Sequence, residues 1–162
     1  MDNYLAALVD IQKHDDLPVI PTMKIYLETI RYLKKDLLNN LSVSHVSIQI
    51  NNEGHSQTRP LKDCLVKLAV NSLTILSKLK KTTTKSIISS NTKLFEDKNA
   101  DYGNSFVDFE LIGIIVRLND KINRILNLGE SASSEAMKIN EKIEDTINDL
   151  YNYCVIGLMY TR

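Results

Sequence analysis

The sequence predicts a mainly α-helical protein, a helical bundle with one small β-hairpin inserted near residues 43–58. Three observations lead there. Apolar residues recur at spacings of three and four along most of the chain. Five Gly and three Pro in 162 residues leave those runs largely unbroken. One short stretch switches to a spacing of two. A chain of this length with 43% hydrophobic residues can bury a core without disulfide or metal staples.

Taken in order, residues 3–13 predict a short helix through Leu5, Leu8, Val9 and Ile11. The segment HDDLPVIP ends it, because two nearby prolines bar helix. Thr22 is a suitable N-cap for a second helix that carries Ile25, Tyr26, Ile30, Leu33 and Leu37 at helical spacing. In 43–50 the pattern alternates, with Val46, Ile48 and Ile50 separated by Ser47 and Gln49, which predicts a strand. NNEG then reads as the turn and HSQTR as the return strand. A third helix follows Pro60 through Leu61, Leu65, Leu68, Ser72, Ile75 and Leu79, and fades in SKLKKTTTK. Residues 84–99 resume the helical period through Ile87, Ile88, Leu94 and Phe95. KNADYGNSF at 98–106 reads as a turn, and a fifth helix runs from about Phe106 to Leu128 with Gly129 as its C′ residue. The last helix, at about 135–160 with Ser134 as N-cap, presents Ile139, Ile143, Ile147, Leu150, Cys154 and Leu158 on one face. The division expected is 1–85, a helical region with the hairpin, and 86–162, a helical unit packed on it.

Composition narrows the class. No run of about 20 apolar residues exists, so no membrane span is expected. The start MDNYLAALVD lacks the basic-then-apolar order of a signal peptide. Cys64 and Cys154 form neither a CxxC pair nor a zinc set, and both fall on apolar faces, so packing in a reduced, cytoplasmic protein is the expectation. His14, His45 and His55 show no metal-ligand spacing. The 20 basic and 20 acidic groups cancel, yet residues 1–90 carry a net +4 and residues 91–162 a net −4. Neither half has the strongly basic face of a nucleic-acid binder. The short run Lys78, Lys80, Lys81 and Lys85 reads as a solvated helix end.

Three places concentrate reactive residue types. On the last helix Glu141, Asp145 and Asp149 stand at i, i+4 and i+8, beside Asn148 and Asn152, on one polar stripe. Carboxylates on adjacent turns can share a hydrated cation, or form a plain solvated face. On the fifth helix Arg117, Asp120, Lys121 and Arg124 flank the apolar face. Three cations and one carboxylate suit a ligand that brings both phosphate and metal, and they equally suit salt bridges within the helix. In 98–106, Lys98 and Asn99 offer donors, Asp101 a carboxylate and Tyr102 a ring, although a bland turn fits too. No GxxxxGK[ST] or GxGxxG loop is present.

Together KNADYGNSF, RLNDKINRILNL at 117–128 and EKIEDTINDLYNY at 141–153 resemble the nucleotide-modification-associated domain 1 family of phages and bacteria. That family's pattern is a KNxDYG turn, an RxxDKxxR helix, and a helix with a D-T-x-x-D-L core followed by an aromatic. The layout also looks like the all-α nucleoside-triphosphate pyrophosphatases, the MazG and dimeric dUTPase group. The EExxE motif of that group is absent, and Glu141 and Asp145 stand four apart where its ExxD element has three.

The resemblance implies a Mg²⁺-dependent nucleotide-processing protein in a viral or phage setting, a nucleotide pyrophosphohydrolase in its sharpest form. Asp101, Asp120, Glu141, Asp145 and Asp149 would hold the metal, with Asp120 and Asp145 catalytic. Lys98, Asn99, Tyr102, Arg117, Lys121 and Arg124 would bind the nucleotide. A homo-oligomer is expected by the same likeness, since that group builds sites between subunits. Two rival readings stand beside it: a non-catalytic nucleotide binder, and an oligomeric interaction protein without a small ligand.

Overall fold

The structure is a computed structural model. It describes residues 2–13, 22–50, 59–102, 110–130 and 136–161, with side chains described except at 41–50, 59, 99–102, 110 and 136–141. Six α-helices occur among the described residues: α1 (Asp2–Gln12), α2 (Met23–Ile50), α3 (Arg59–Lys80), α4 (Thr84–Tyr102), α5 (Glu110–Glu130) and α6 (Ala136–Tyr160).

The helices α2, α3, α6 and α5 close a four-membered ring, each packed on the next. The helix α1 lies over α3 and α6, and α4 packs on α3. Facing residues give the directions. Tyr26 bonds Ser72 at 2.9 Å and the Cys64 thiol meets the Leu33 carbonyl at 3.6 Å, so α2 and α3 run antiparallel. Lys34 donates to Asn123 at 2.5 Å and Arg31 pairs with Glu130, so α2 and α5 are antiparallel too. One core joins both halves of the chain: Tyr26, Ile30 and Leu37 of α2, Leu65, Leu68 and Leu76 of α3, Leu118 and Ile122 of α5, and Ile147 and Leu150 of α6.

Local signals explain three of the helix ends. Thr22 caps α2, its Oγ1 accepting from the Ile25 N–H at 3.3 Å. Thr83 does the same for α4, accepting from the Ser86 N–H at 3.1 Å. The helix α3 stops where Lys81 enters the left-handed region at φ 51°. The Thr82 N–H then reaches back to the Ser77 carbonyl at 3.1 Å, a Schellman closure that satisfies one of the last free carbonyls. Three residues therefore turn the chain from α3 into α4, which runs back along α3 and parallel to α6.

Three expectations are corrected. Residues 43–50 are not a strand: they are the last turns of α2. Three alternating apolar residues are too few to fix a period, and a lone hairpin is marginal where a helix bonds its own backbone. The proposed turn and return strand at 51–58 lie outside the described residues. The segment read as a turn from 98 onward is helical as far as Tyr102. Gly129 is not a C′ residue, since α5 continues to Glu130. A Cβ at Gly129 would sit 2.6 Å from Leu27 Cδ1, so this glycine marks the close approach of α2. The Ser134 cap also lies outside the described residues.

The core is polar in places. Cys64 and Cys154 are buried free thiols, as packing requires. Burial pushes the Tyr4 phenol and the Cys64 thiol each up to about 12, and raises Tyr26, Tyr151 and Cys154 well above their ordinary ranges. Tyr151 has no hydrogen-bond partner for its hydroxyl among the described residues.

Two outcomes follow from this architecture. Lys81→Gly relieves a left-handed lysine and should stabilise the protein by about 1 kcal/mol in urea unfolding; an unchanged or lower stability would contradict the closure described. The buried phenols and thiols bind their protons more tightly folded than unfolded. Their contribution is complete below about pH 8, where the unfolded thiols are still protonated, and is lost as pH rises towards 12, at up to about 1.4 kcal/mol per pH unit for each group. The urea midpoint should hold from about pH 7 to 8 and fall steadily above, and a midpoint flat to about pH 11 would count against a buried, neutral set.

Candidate functional site

The helices α5 and α6 are amphipathic and antiparallel, so their flanking polar residues meet along one seam in successive turns. Arg117 donates to the Tyr153 hydroxyl at 3.1 Å, with its guanidinium carbon 5.9 Å from that ring's centre. One turn on, Lys121 Nζ pairs with Asp149 Oδ2 at 3.2 Å. A further turn brings Arg124 level with Asp145, and both are exposed without an ion pair among the described residues. Three cations thus line one side of the seam, and an aromatic and two carboxylates the other. The Asp149 side chain is 52% exposed and that of Lys121 27%. Such a pair is open to solvent and contributes at most about 1 kcal/mol. Its groups can change partners at little cost.

The other flank of α6 carries a second set. Asn148 and Asn91 of α4 exchange amide hydrogen bonds at 2.9 Å each way, and Asn152 donates to Asn91 Oδ1 at 2.9 Å. Asn91 also donates to the Ile87 carbonyl at 3.0 Å. The single polar stripe read on α6 is therefore divided between two seams, with Asp149 facing α5 and the asparagines facing α4.

The expected site residues separate as follows. Arg117, Lys121 and Asp149 make contacts across the α5–α6 seam, and helical register places Arg124 and Asp145 a turn further along it. Asp120 is exposed on α5, about 40° round the helix from Arg124. Lys98 is exposed near the far end of α4. Because α4 runs parallel to α6, its positions 99–102 lie towards the C-terminal end of α6, whereas position 141 lies at its start. The helix position of Asp101 is about 20 Å along the bundle from that of Asp145, counted from the level of Asn91. Side chains of Asn99, Asp101, Tyr102 and Glu141 lie outside the described ones, as do those of the three histidines. Among the described residues no three His, Cys, Asp or Glu side chains come together as a metal-ligand set. Lys78, Lys80, Lys81 and Lys85 are exposed at the α3–α4 turn, away from the seam.

Sequence reasoning missed two participants. Tyr153 was visible only as the last residue of EKIEDTINDLYNY; the aromatic directly after the D-T-x-x-D-L core is Tyr151, which is buried. Asn91 carried no signal, because a helical wheel shows one helix and the asparagine cluster needs two.

The model of the nucleotide modification associated domain 1 family matches residues 98–160. The match takes in the end of α4 and all of α5 and α6, which includes the whole seam. It supports the family resemblance carried by the three motifs. None of the comparisons supports the likeness to the MazG and dimeric dUTPase group. No curated protein and no solved structure matches the chain.

Proposed function

We propose that the protein binds a nucleoside triphosphate or a modified nucleotide through its phosphates along the α5–α6 seam, and processes it with Mg²⁺. The observation that carries this reading is the row Arg117, Lys121 and Arg124 facing Asp149 and Asp145, within the segment matched by a family named for nucleotide modification. Guanidinium groups suit phosphate oxygens in pairs, and lysine supplies a point charge.

The donor set fits Mg²⁺ in its usual protein form. That ion takes oxygen ligands, keeps several waters and needs one or two carboxylates besides the substrate's phosphates. Asp145 and Asp149, at i and i+4 and both exposed, are such a pair. The bound ion would neutralise phosphate charge and lower the pKa of a coordinated water. Lys121 would leave Asp149 for a phosphate oxygen, and the exposed pair gives little resistance to that exchange. Cleavage between the α- and β-phosphates is the reaction this arrangement suits. The wider set of five carboxylates is not needed, and position 101 would meet this site only from a second copy of the chain.

The test is thermal stability and turnover against a panel of nucleoside triphosphates and modified nucleotides, each with and without Mg²⁺. A ligand at about 100 times its Kd adds about 2.7 kcal/mol, a clear rise in midpoint. The expected result is a Mg²⁺-dependent rise for at least one nucleotide, with pyrophosphate release that Asp145→Asn abolishes and a rise that Arg117→Ala with Lys121→Ala removes. A rise without metal and without turnover would reduce the reading to sequestration. No rise with any nucleotide would overturn it.

A further inference from the structure

The α4–α6 flank carries chemistry that phosphate binding does not use. The Asn91 amide is saturated: both its N–H groups donate, to the Ile87 carbonyl and Asn148 Oδ1, and its oxygen accepts from Asn148 and Asn152. Asn91 is buried, while Asn148 and Asn152 are half-buried. Asn152 spends one N–H on Asn91 and keeps its oxygen and second N–H without a protein partner among the described residues. Asn148 likewise keeps one N–H and one acceptor site. The cluster therefore ends in amide edges, each a donor beside an acceptor, held in place by a saturated neighbour.

Their height on the bundle matters. Asn148 and Asn152 stand beside Asp149 and Tyr153 on the same two turns of α6, so the amide edges and the Arg117–Lys121 row are level. In helical projection Asn152 stands about 60° round α6 from Asp149, so a ligand lying over the polar face of that helix can touch both. A nucleotide is built on that plan, with an anionic phosphate tail at one end and, beyond the sugar, a base edge of adjacent donors and acceptors. Carboxamides match such edges with two hydrogen bonds at once.

We propose that Asn152, supported by Asn148 and Asn91, is the base-reading residue of this protein: phosphates lie on the α5 side of α6 and the base edge meets the amides on the α4 side. The inference rests on the phosphate-binding reading of the α5–α6 seam and adds where discrimination between bases comes from. A purely structural role for the cluster, tying α4 to α6, would leave base preference untouched.

Calorimetric titration separates these cases. Inorganic tripolyphosphate and the nucleoside triphosphates of the different bases are titrated, with Mg²⁺, into the full chain and into Asn152→Leu. The wild type should prefer one base, and Asn152→Leu should flatten that preference by about tenfold, what one lost amide–base pair is worth. Tripolyphosphate, which has no base, should bind both proteins within about twofold. Asn152→Thr, smaller and still polar, repeats the measurement should the leucine variant not fold. A preference that survives the substitution, an equal loss for tripolyphosphate, or no base preference in the wild type would overturn the inference while leaving the phosphate seam standing. Failure of tripolyphosphate and every nucleotide to bind the wild type would overturn both.

Discussion

Between Leu150 and Leu158 the last helix is buried on almost every side, with Leu150, Tyr151, Cys154, Val155 and Leu158 at 0% exposure. The rest of the bundle is arranged around that stretch. The helices α1, α3 and α5 all pack on α6. Gly157 admits two of them closely: a Cβ there would stand 3.1 Å from Leu65 of α3 and 3.5 Å from Ile114 of α5. A helix enclosed in this way has little polar surface to offer near its C-terminal end. Its accessible polar side chains lie from Tyr153 back towards its start, where two seams border the helix. The place where chemistry can occur is thus set by where the core stops enclosing α6.

The same constraint ties the matched segment to the rest of the chain. The helices α5 and α6 bury Ile114, Leu118, Ile122, Ile147 and Leu150. Their neighbours in that core are α2 and α3, which lie before residue 98. Residues 98–160 carry the seam, but the earlier helices complete the hydrophobic interior that holds α5 and α6 antiparallel. Turn by turn, that pairing is what brings Arg117 to Tyr153 and Lys121 to Asp149. The N-terminal half is therefore a structural requirement of the seam. Asn91 of α4, likewise before the matched segment, borders the opposite flank of α6.

How much of this was legible follows from what a sequence pattern contains. Helices over Ile30–Leu37, Leu61–Leu79 and Ile143–Leu158 were legible because a spacing of three and four persists for several turns. The Thr22 cap was legible because its effect is local. The stretch Val46–Ile50 misled, since an alternating run so short fits a strand and a helix end alike. Gly129 misled for another reason: its small size serves Leu27, a residue about a hundred positions away. At the site, the Arg117–Lys121–Arg124 line was readable on a wheel, but its partner surface was not. The stripe Asp145, Asn148, Asp149 and Asn152 looked continuous in one helix, and packing divided it between α5 and α4. Chain order also conceals axial order. Positions 101 and 141 belong to the first and third motifs of one family pattern, yet a parallel α4 carries the first towards the end of α6 opposite the second.

The central claim is that α5 and α6 present a phosphate site at their seam. Side-chain NMR of the arginines and lysines during titration with tripolyphosphate and Mg²⁺ tests it most directly. The account predicts saturable shifts at Arg117, Lys121 and Arg124, and none at Arg31 and Lys34, which are engaged with Glu130 and Asn123 on the α2 side of α5. Shifts confined to the exposed lysines at 78–85, or spread evenly over every surface cation, would contradict it.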